Sequence, residues 1–497
     1  MDPTTGEHRP EESPAPIGGR RVVGGVLSFA ASALASKLIA AVAFAVIARS
    51  VGAREFGLVA VAAAFALALE SWVGQGMGDF VVSHPRLERA HLDTAFWINI
   101  VAGGLVAGAL SVAAPVLEAW TGTPDTTPLI RWLSVGLIFH GATVVPAALL
   151  LREGRFKAAA ARNAAATAIA AAAGMGAALG GAGRWALVIQ SLVSDVVGLL
   201  VLAGAVRFWP RPVGTWRHAR ELWSYGGNML GVSVVNALAQ RVTMAIVGGW
   251  TSATSAGFYA VAQRVQQIAT QLLIKPVDTV ALPTLARLRD DPTVASEMFV
   301  RTASLAAAVA WPAFAGLALV ASDALVVVLG DGWAAAAGPL VAFSVLGSAR
   351  VVSYLTGATL RAGGRPYLVL RVVLIEAVVL VGGLAVAKGA GVTALAWASA
   401  VASVAVLPLY LWLVRVHARI DLARLALLLT PIAASLGFMA VAVWLLRTEL
   451  GASEPATRLV AASAAGVVTY LTALAVLARG SLREAMEVAR GRRRTAA

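Results

Sequence analysis

Residues 47–62 read IARSVGAREFGLVAVA, and residues 247–262 read VGGWTSATSAGFYAVA. Gly57 and Gly257 occupy matching positions, and in each copy two residues separate the glycine from an Ala-Val-Ala triplet. Two further pairs of segments recur in the same order and at a similar offset: Arg152–Phe156 with Arg361–Tyr367, and Gly183–Leu187 with Gly391–Leu395. This common spacing indicates an internal repeat of about 200 residues.

The composition indicates the class of protein. The chain has 497 residues, of which 59% are hydrophobic and 13% are charged, and its mean hydropathy is +0.79. A water-soluble domain of this length needs more polar surface. The hydrophobic residues form blocks of roughly 20–27, the length that crosses about 30 Å of hydrocarbon. We therefore expect an all-α polytopic membrane protein; the alternating pattern of a membrane β-barrel is absent from the sequence.

Hydropathy predicts fourteen spans, at residues 22–48, 56–79, 92–117, 129–151, 156–181, 184–208, 225–249, 253–283, 298–321, 336–361, 366–387, 390–415, 425–447 and 457–478. The repeat unit is six spans, so both copies cross the membrane in the same direction and form two lobes. We expect a disordered tail over 1–19, an N-lobe over 20–208, a linker over 209–224, a C-lobe over 225–421, two added spans within 422–478 and a basic tail over 479–497.

The distribution of basic residues predicts the orientation. Most of the 40 lysines and arginines fall in alternate loops and in the two tails. The opposite loops hold only Arg49, Arg54, Arg184, Lys388, Arg447 and Arg458. The positive-inside rule therefore places both termini in the cytoplasm, with the chain in the cytoplasmic membrane. The net charge of +14 is a signal of topology, and we expect no nucleic-acid partner because no basic surface domain is present.

Eight basic side chains fall inside the predicted spans: Lys37, Arg131, Arg162, Arg241, Arg264, Lys275, Arg350 and Arg371. A charge at mid-bilayer costs at least roughly 2.5 kcal/mol on insertion scales, so the deeper groups must face a polar interior. They outnumber the carboxylates at similar depth, and an excess of positive charge favours a multivalent anion such as a diphosphate. We expect cations from both lobes to converge on one chamber.

Spans 7 and 8 carry the clearest polar faces. In span 8, Arg264, Gln267 and Gln271 follow helical spacing, and the guanidinium of Arg264 can bind phosphate oxygens bidentately. In span 7, Asn236 and Gln240 offer amides that suit sugar hydroxyls or hydrogen bonds between helices. We assign substrate binding to Arg264, Arg241, Lys37, Arg350, Asn236, Gln240 and Gln267. Two alternatives are an interhelical salt bridge at Arg264 and a pair between Lys37 and Glu70.

The deep carboxylates are candidates for ion coupling. Asp195, Glu376 and Glu70 can each bind a proton in a buried setting, and Glu376 can alternatively pair with Arg371. The chain has no cysteine, its six histidines lack the usual spacing of metal ligands, and no phosphate-binding GxxxxGK[ST] motif occurs. We therefore expect no cofactor, no metal and no ATP site.

Several of these segments resemble the Wzx-type polysaccharide transporters of the multidrug/oligosaccharidyl-lipid/polysaccharide exporter superfamily. The resemblance is carried by Ala45–Phe65, Asp93–Trp97, Leu151–Lys157, Trp185–Leu187 and Tyr225–Pro283, and most specifically by Gly257–Arg264. It implies a V-shaped flippase with fourteen spans that moves a polyprenyl-diphosphate-linked oligosaccharide across the cytoplasmic membrane. It also implies membrane lipids, a glycan polymerase and glycosyltransferases as partners of a monomer. Thr243 stands where such proteins often have an acidic residue.

Two other functions remain open on the sequence. A drug or cation antiporter of the same superfamily would have about twelve spans and an acidic cavity. A membrane glycan polymerase or ligase would need a large outer loop, and the predicted outer loops are short. The internal repeat favours a transporter, and we expect no enzyme activity.

Overall fold

The computed structural model describes residues 19–70, 73–74, 77–84, 87–206, 208–212, 217–222, 243–274, 292–451 and 453–477, with side chains from residue 35 onward. The helices are α1 (Gly19–Val51), α2 (Ala53–Glu70), α3 (Met77–Ser83), α4 (Arg89–Thr121), α5 (Thr126–Arg152), α6 (Phe156–Leu179), α7 (Trp185–Ala205), α8 (Ala253–Leu273), α9 (Pro292–Leu319), α10 (Ala321–Leu329), α11 (Ala337–Ala362), α12 (Pro366–Val386), α13 (Val392–Ala405), α14 (Leu407–Ala418), α15 (Leu422–Glu449) and α16 (Pro455–Leu477). Segments 217–222 and 243–250 are also helical, and Asp331–Ala336 forms a 3-10 turn.

The outer faces of the bundle are apolar, as lipid contact requires. Large aliphatic side chains such as Val112 on α4 and Val386 on α12 point away from the protein. Within the described residues, nine helical stretches are long and apolar enough to cross a membrane. They correspond to nine of the predicted spans. The all-α polytopic fold is confirmed, whereas the count of fourteen is not.

The loops fall at two ends of the bundle. At one end, which we call the Gly52 end, Arg184 pairs with Glu55 of the α1–α2 turn at 3.6 Å and with Asp125 at 3.4 Å. At the other, the Arg152 end, Arg152 donates hydrogen bonds to backbone carbonyls after α3, and Arg365 donates to the carbonyl of His417 at 2.8 Å. The loops that the sequence assigns to opposite sides therefore separate into two layers.

The predicted span at 56–79 is wrong as a single helix. The helix α2 ends at Glu70, and α3 begins at Met77. Between them Gly74 has φ +88°, a left-handed conformation that a continuous helix does not contain and that glycine adopts without a Cβ penalty. The break lets α3 pack separately against α5, where Gly74 lies against the side chain of Val144.

The repeat-related glycines form a close backbone contact between the two halves. A Cβ on Gly57 of α2 would collide with the carbonyl oxygen of Ala253, and a Cβ on Gly257 of α8 would collide with that of Ala53. The contact is reciprocal, since each glycine lies against the alanine four residues before the other. Small residues at this spacing let two membrane helices touch backbone to backbone. The glycines therefore serve close packing, and no bend of α2 or α8 has to be invoked for them.

Among the described residues, the two C-terminal helices pack mainly against the second half. Helices α15 and α16 pack against each other and against α9 and α10. The carboxylate of Asp323 in α10 is 2% exposed and receives Arg447 from α15 at 2.9 Å and Arg458 from α16 at 3.0 Å. Tyr470 of α16 also donates to the carbonyl of Ala308 at 2.7 Å. These contacts fix the added pair to the outside of the second half.

Candidate functional site

A large cavity lies between the two halves. Its volume is about 1040 Å³, and its wall is formed by α2, α6 and α7 on one side and by α8, α11, α12 and α13 on the other. The lining runs from Phe56 and Leu187, near the Gly52 end, to Arg361 and Pro366, at the Arg152 end. The cavity is thus a deep chamber along the interface of the halves, at the upper end of the roughly 300–1,000 Å³ typical of ligand sites.

The positive charge of the cavity comes from the second half. Arg264 on α8 and Arg350 and Arg361 on α11 all line it. Arg264 and Arg350 confirm the predicted placement in a shared interior. Within the described residues, Arg350 has no carboxylate at ion-pairing distance, and the phenol ring of buried Tyr259 lies on the same wall. A planar guanidinium in this setting presents donors toward the chamber.

The facing wall is polar but carries no basic side chain in the part of the chain that the structure describes. Gln190, Ser191 and Ser194 of α7 and Thr167 of α6 line it, together with Asp195. We expected cations from both lobes, and this expectation is wrong for the described lining. The helices of the first half pack against one another through small residues, for example where Gln190 lies against Gly174. Apart from Asp195, the polar groups that these helices present to the cavity are amides and hydroxyls.

Lys37 does not line the chamber itself. Its ammonium donates to Oε1 of Gln271 at 2.5 Å, joining α1 to α8 across the two halves. Ala40, one turn further along α1, does line the cavity. The suggested pair between Lys37 and Glu70 is wrong, because Glu70 instead contacts Nδ1 of His140 at 3.1 Å.

The other basic residues of the predicted spans have separate environments. Arg131 donates to the carbonyl of Ser111 at 3.3 Å, and Arg162 lies in the contact of α6 with α7, against Gly198. Arg371 stacks over the ring of Tyr367 with 5.5 Å to the ring centroid and forms no pair with Glu376. The remaining predicted positions, Arg241, Asn236, Gln240 and Lys275, lie outside the described residues.

Two of the three predicted carboxylates line the cavity. Asp195 lies on α7 with its carboxylate against Gly136 of α5, and Glu376 on α12 accepts a hydrogen bond from Ser403 at 2.5 Å. Gln267 lies on the same wall as Arg264, as predicted. The lining therefore combines three arginines with two carboxylates and leaves the chamber positive.

Sequence reasoning missed several lining residues. Arg361 was assigned to an inner loop, yet α11 continues to Ala362 and brings it into the wall. Tyr354 lies on the same face of α11 as Arg350 and Arg361, and it also lines the cavity. The spacing of Arg350, Tyr354 and Arg361 on one helical face is the signal that could have identified this stripe.

Aromatic packing joins the two halves at the Gly52 end. The backbone crossing of α2 with α8 lies there, and Trp333 packs edge-on against Phe56 at 5.8 Å and Phe258 at 6.1 Å. The indole of Trp333 donates to the carbonyl of Ala48 at 3.2 Å. These aromatic groups join both halves and the 3-10 turn into one closed layer.

Comparison with known proteins identifies the family. The family model described as "Polysaccharide biosynthesis protein" matches residues 46–338, more than half of the chain. The succinoglycan biosynthesis transport protein ExoT of Rhizobium meliloti (strain 1021) is 28% identical over 465 residues, covering 91% of this chain and 92% of that protein. The teichuronic acid biosynthesis protein TuaB of Bacillus subtilis (strain 168) is 27% identical over 406 residues, covering 80% and 83%.

Solved structures show the same fold. The lipid II flippase MurJ in an inward closed conformation superposes with a TM-score of 0.73 at 13% identity, covering 92% of this chain and 100% of that one. An inward-facing MATE family multidrug resistance transporter gives a TM-score of 0.60 at 13% identity, with coverages of 79% and 95%. Identities this low speak to the fold alone. The family match over more than half of the chain shows that the protein belongs to the polysaccharide biosynthesis protein family.

Proposed function

We propose that this protein is a flippase that moves a polyprenyl-diphosphate-linked oligosaccharide across the cytoplasmic membrane by alternating access, for the synthesis of a cell-surface polysaccharide. The observation that carries the proposal is the chamber between the halves, with Arg264, Arg350 and Arg361 on one wall. A diphosphate is the multivalent anion that such a wall suits, because charge-assisted bidentate hydrogen bonds join guanidinium groups to phosphate oxygens.

The two walls suit the two parts of the headgroup. The arginine wall would hold the diphosphate, and the wall with Gln190, Ser191 and Ser194 would face the sugars. An amide offers two donors and an acceptor, and a hydroxyl offers one donor and two acceptor sites, which matches sugar hydroxyls. The polyprenyl tail would remain in lipid, because transfer of this apolar chain into a polar cavity is unfavourable.

Closure at the Gly52 end supports alternating access. The positive-inside rule assigns this end to the outside and the Arg152 end, with both termini, to the cytoplasm. The described state would then receive its substrate from the cytoplasmic side. Opening requires separation of α2 from α8, and the reciprocal glycine contact is the element that the movement must break.

Ion coupling remains a proposal for Asp195 and Glu376, which both line the chamber. Either carboxylate can exchange a proton with the cavity while the substrate's phosphates occupy the arginines. Glu70 fits this role less well, because its contact with His140 lies off the described lining. We further propose a monomer that works beside the polymerase and glycosyltransferases that use its substrate.

The experiment compares binding and translocation in purified protein. Native mass spectrometry would measure undecaprenyl diphosphate bound by the wild type, by Arg264→Ala and by Arg350→Ala, and proteoliposomes would measure flipping of a fluorescent polyprenyl-diphosphate monosaccharide. We expect each variant to lose at least about tenfold in both, the usual scale for one charge-assisted contact. Arg371→Ala is the matched control, since this arginine lies outside the described cavity lining and stacks on Tyr367.

Wild-type binding and flipping in both cavity variants would overturn the proposal. The competing antiporter function shares the fold of the MATE transporter. It requires a lining that attracts cations, and three arginines against two carboxylates disfavour it. Translocation of a cationic dye, with no response to the lipid-linked sugar, would support it instead.

A further inference from the structure

Three of the six histidines of the chain gather at the Arg152 end, away from the cavity. His91 lies in the first turn of α4, with Glu88 as its N-cap, and His218 and Glu221 lie on the helical segment 217–222 of the predicted linker. His84 follows α3 and stacks its ring on Phe80. Ligand atoms of Glu88, His91 and His218 all lie within 4.8 Å of one another.

We propose that Glu88, His91, His218 and Glu221 form a binding site for one divalent transition-metal ion, with Zn²⁺ as the best match. Two imidazoles and two carboxylates are a usual type of ligand set for this ion. With neutral imidazoles, the two carboxylates balance its charge of +2. The site would join the start of α4 to the segment that connects the two halves.

The distances between donor atoms fit a shared ion. Two ligands of one tetrahedral Zn²⁺, each about 2.1 Å from the metal, are about 3.4 Å from each other. His91 Nε2 lies 3.0 Å from Glu221 Oε2, and His218 Nε2 lies 3.4 Å from Glu88 Oε2. Each of these two pairs therefore already has nearly the separation that two bonds to a common metal would impose, and Glu221 joins the group of Glu88, His91 and His218 through its contact with His91.

The burial of the two imidazoles also favours a built site. The side chain of His91 is 5% exposed and that of His218 is 14% exposed, while the two carboxylates remain open to solvent. The two imidazole rings meet edge to face with 4.4 Å between centroids. Two ordered imidazoles with an open acidic side leave an entry path for an ion.

Two arginines flank the proposed site. Arg217 lies 3.4 Å from Oε1 of Glu221, whereas Oε2 of the same carboxylate faces His91. Arg89 donates to the carbonyl of Trp209 at 2.7 Å.

Metal binding would also change the hydrogen bond at the start of α4. In the described state Nδ1 of His91 accepts from the backbone amide of Glu88 at 3.2 Å. If Nε2 binds the ion, the proton of the neutral imidazole moves to Nδ1, and this capping hydrogen bond is lost. Binding of the ion therefore changes the hydrogen bonding at the start of α4. The free energy lost with this one hydrogen bond is small compared with the free energy of metal binding.

The test uses the full chain, purified with an affinity tag that contains no histidine and treated with a chelator. Zn²⁺ alone is then added, and bound metal is measured after gel filtration by elemental mass spectrometry, with affinity from a competing chromophoric chelator. We expect one ion per chain, and at least about a hundredfold weaker binding in His91→Ala and His218→Ala. His417→Ala is the matched control, since the ring of His417, on α14, contacts the backbone carbonyl of Leu413 at 3.1 Å and is not part of this cluster.

Glu221→Gln is the second variant, because its side chain is about half exposed and the change is compatible with folding. We expect weaker Zn²⁺ binding and, with Co²⁺, loss of the visible spectrum typical of tetrahedral coordination. Absence of stoichiometric Zn²⁺ in the wild type would overturn the proposal. Equal Zn²⁺ binding in the wild type and in all three ligand variants would do the same by placing the ion elsewhere. Neither result bears on flipping.

Discussion

The two halves are alike where they touch and unlike where they face the cavity. At the Gly52 end, Ala53 and Gly57 contact Ala253 and Gly257, and the two segments make the same contact reciprocally. In the chamber, the arginines lie on the wall of the second half, and the wall of the first half carries no basic side chain among the described residues. The repeat thus preserves the backbone contact between the halves, while the side chains that line the cavity differ between them.

The largest effect is expected at the crossing. Gly57→Leu or Gly257→Leu forces a side chain into the opposing backbone, so the closed state should become inaccessible and flipping should fall at least a hundredfold. Gly104→Leu is the control, because a Cβ there meets nothing within 4 Å. Flipping in proteoliposomes measures the outcome. Normal flipping in both crossing variants would show that the symmetric contact is not needed for transport.

The second prediction tests whether the two added C-terminal helices contribute to stability without contributing to binding between the halves. Asp323→Asn leaves Arg447 and Arg458 without their shared carboxylate, and breaking a buried ion pair typically costs about 3–5 kcal/mol. The exposed parts of both arginines reduce that figure, so we expect a destabilisation of about 2–3 kcal/mol, visible as a lower Tm. Binding of undecaprenyl diphosphate should persist below that Tm. Lost binding in the folded variant would mean that the added helices also shape the cavity.

The third prediction tests the polar wall. Gln190→Ala combined with Ser194→Ala removes two groups able to bind sugar, and we expect roughly tenfold weaker binding of a polyprenyl-diphosphate oligosaccharide. Binding of undecaprenyl diphosphate without sugar should not change. Ser111→Ala, whose hydroxyl contacts Ser134 in another part of the first half, is the control. Equal loss for both lipids would contradict the division of the two walls.

The smallest effect is expected at Ser403. Ser403→Ala removes the hydroxyl that donates to Glu376, a hydrogen bond of about 1 kcal/mol, and flipping driven by a proton gradient should change by about fivefold. Ser399→Ala, on the same helix, instead loses the contact with Tyr259 at 3.1 Å. If both serine variants flip at the wild-type rate with and without the gradient, Glu376 has no part in coupling.

The sequence predicted the membrane class, the repeat and the alternation of the loops, because hydropathy and charge are local properties of the chain. It also placed Arg264, Arg350 and Gln267 in a shared interior, since lipid excludes charges from the outer faces. It failed where a side chain's partner decides its role. Lys37 contacts Gln271 and Glu70 contacts His140, and these pairs join residues too far apart along the chain for spacing to reveal them.

By itself, the chain's pattern of apolar blocks and matched glycines determined that the protein spans a membrane as two related halves. Only the tertiary structure decided that the arginines share one wall, that Arg361 joins them, and that His91 and His218 lie side by side at the opposite end from the glycine crossing. The physical reason is that insertion energy depends on composition along each helix, whereas a binding site depends on which faces of separate helices the packing brings together.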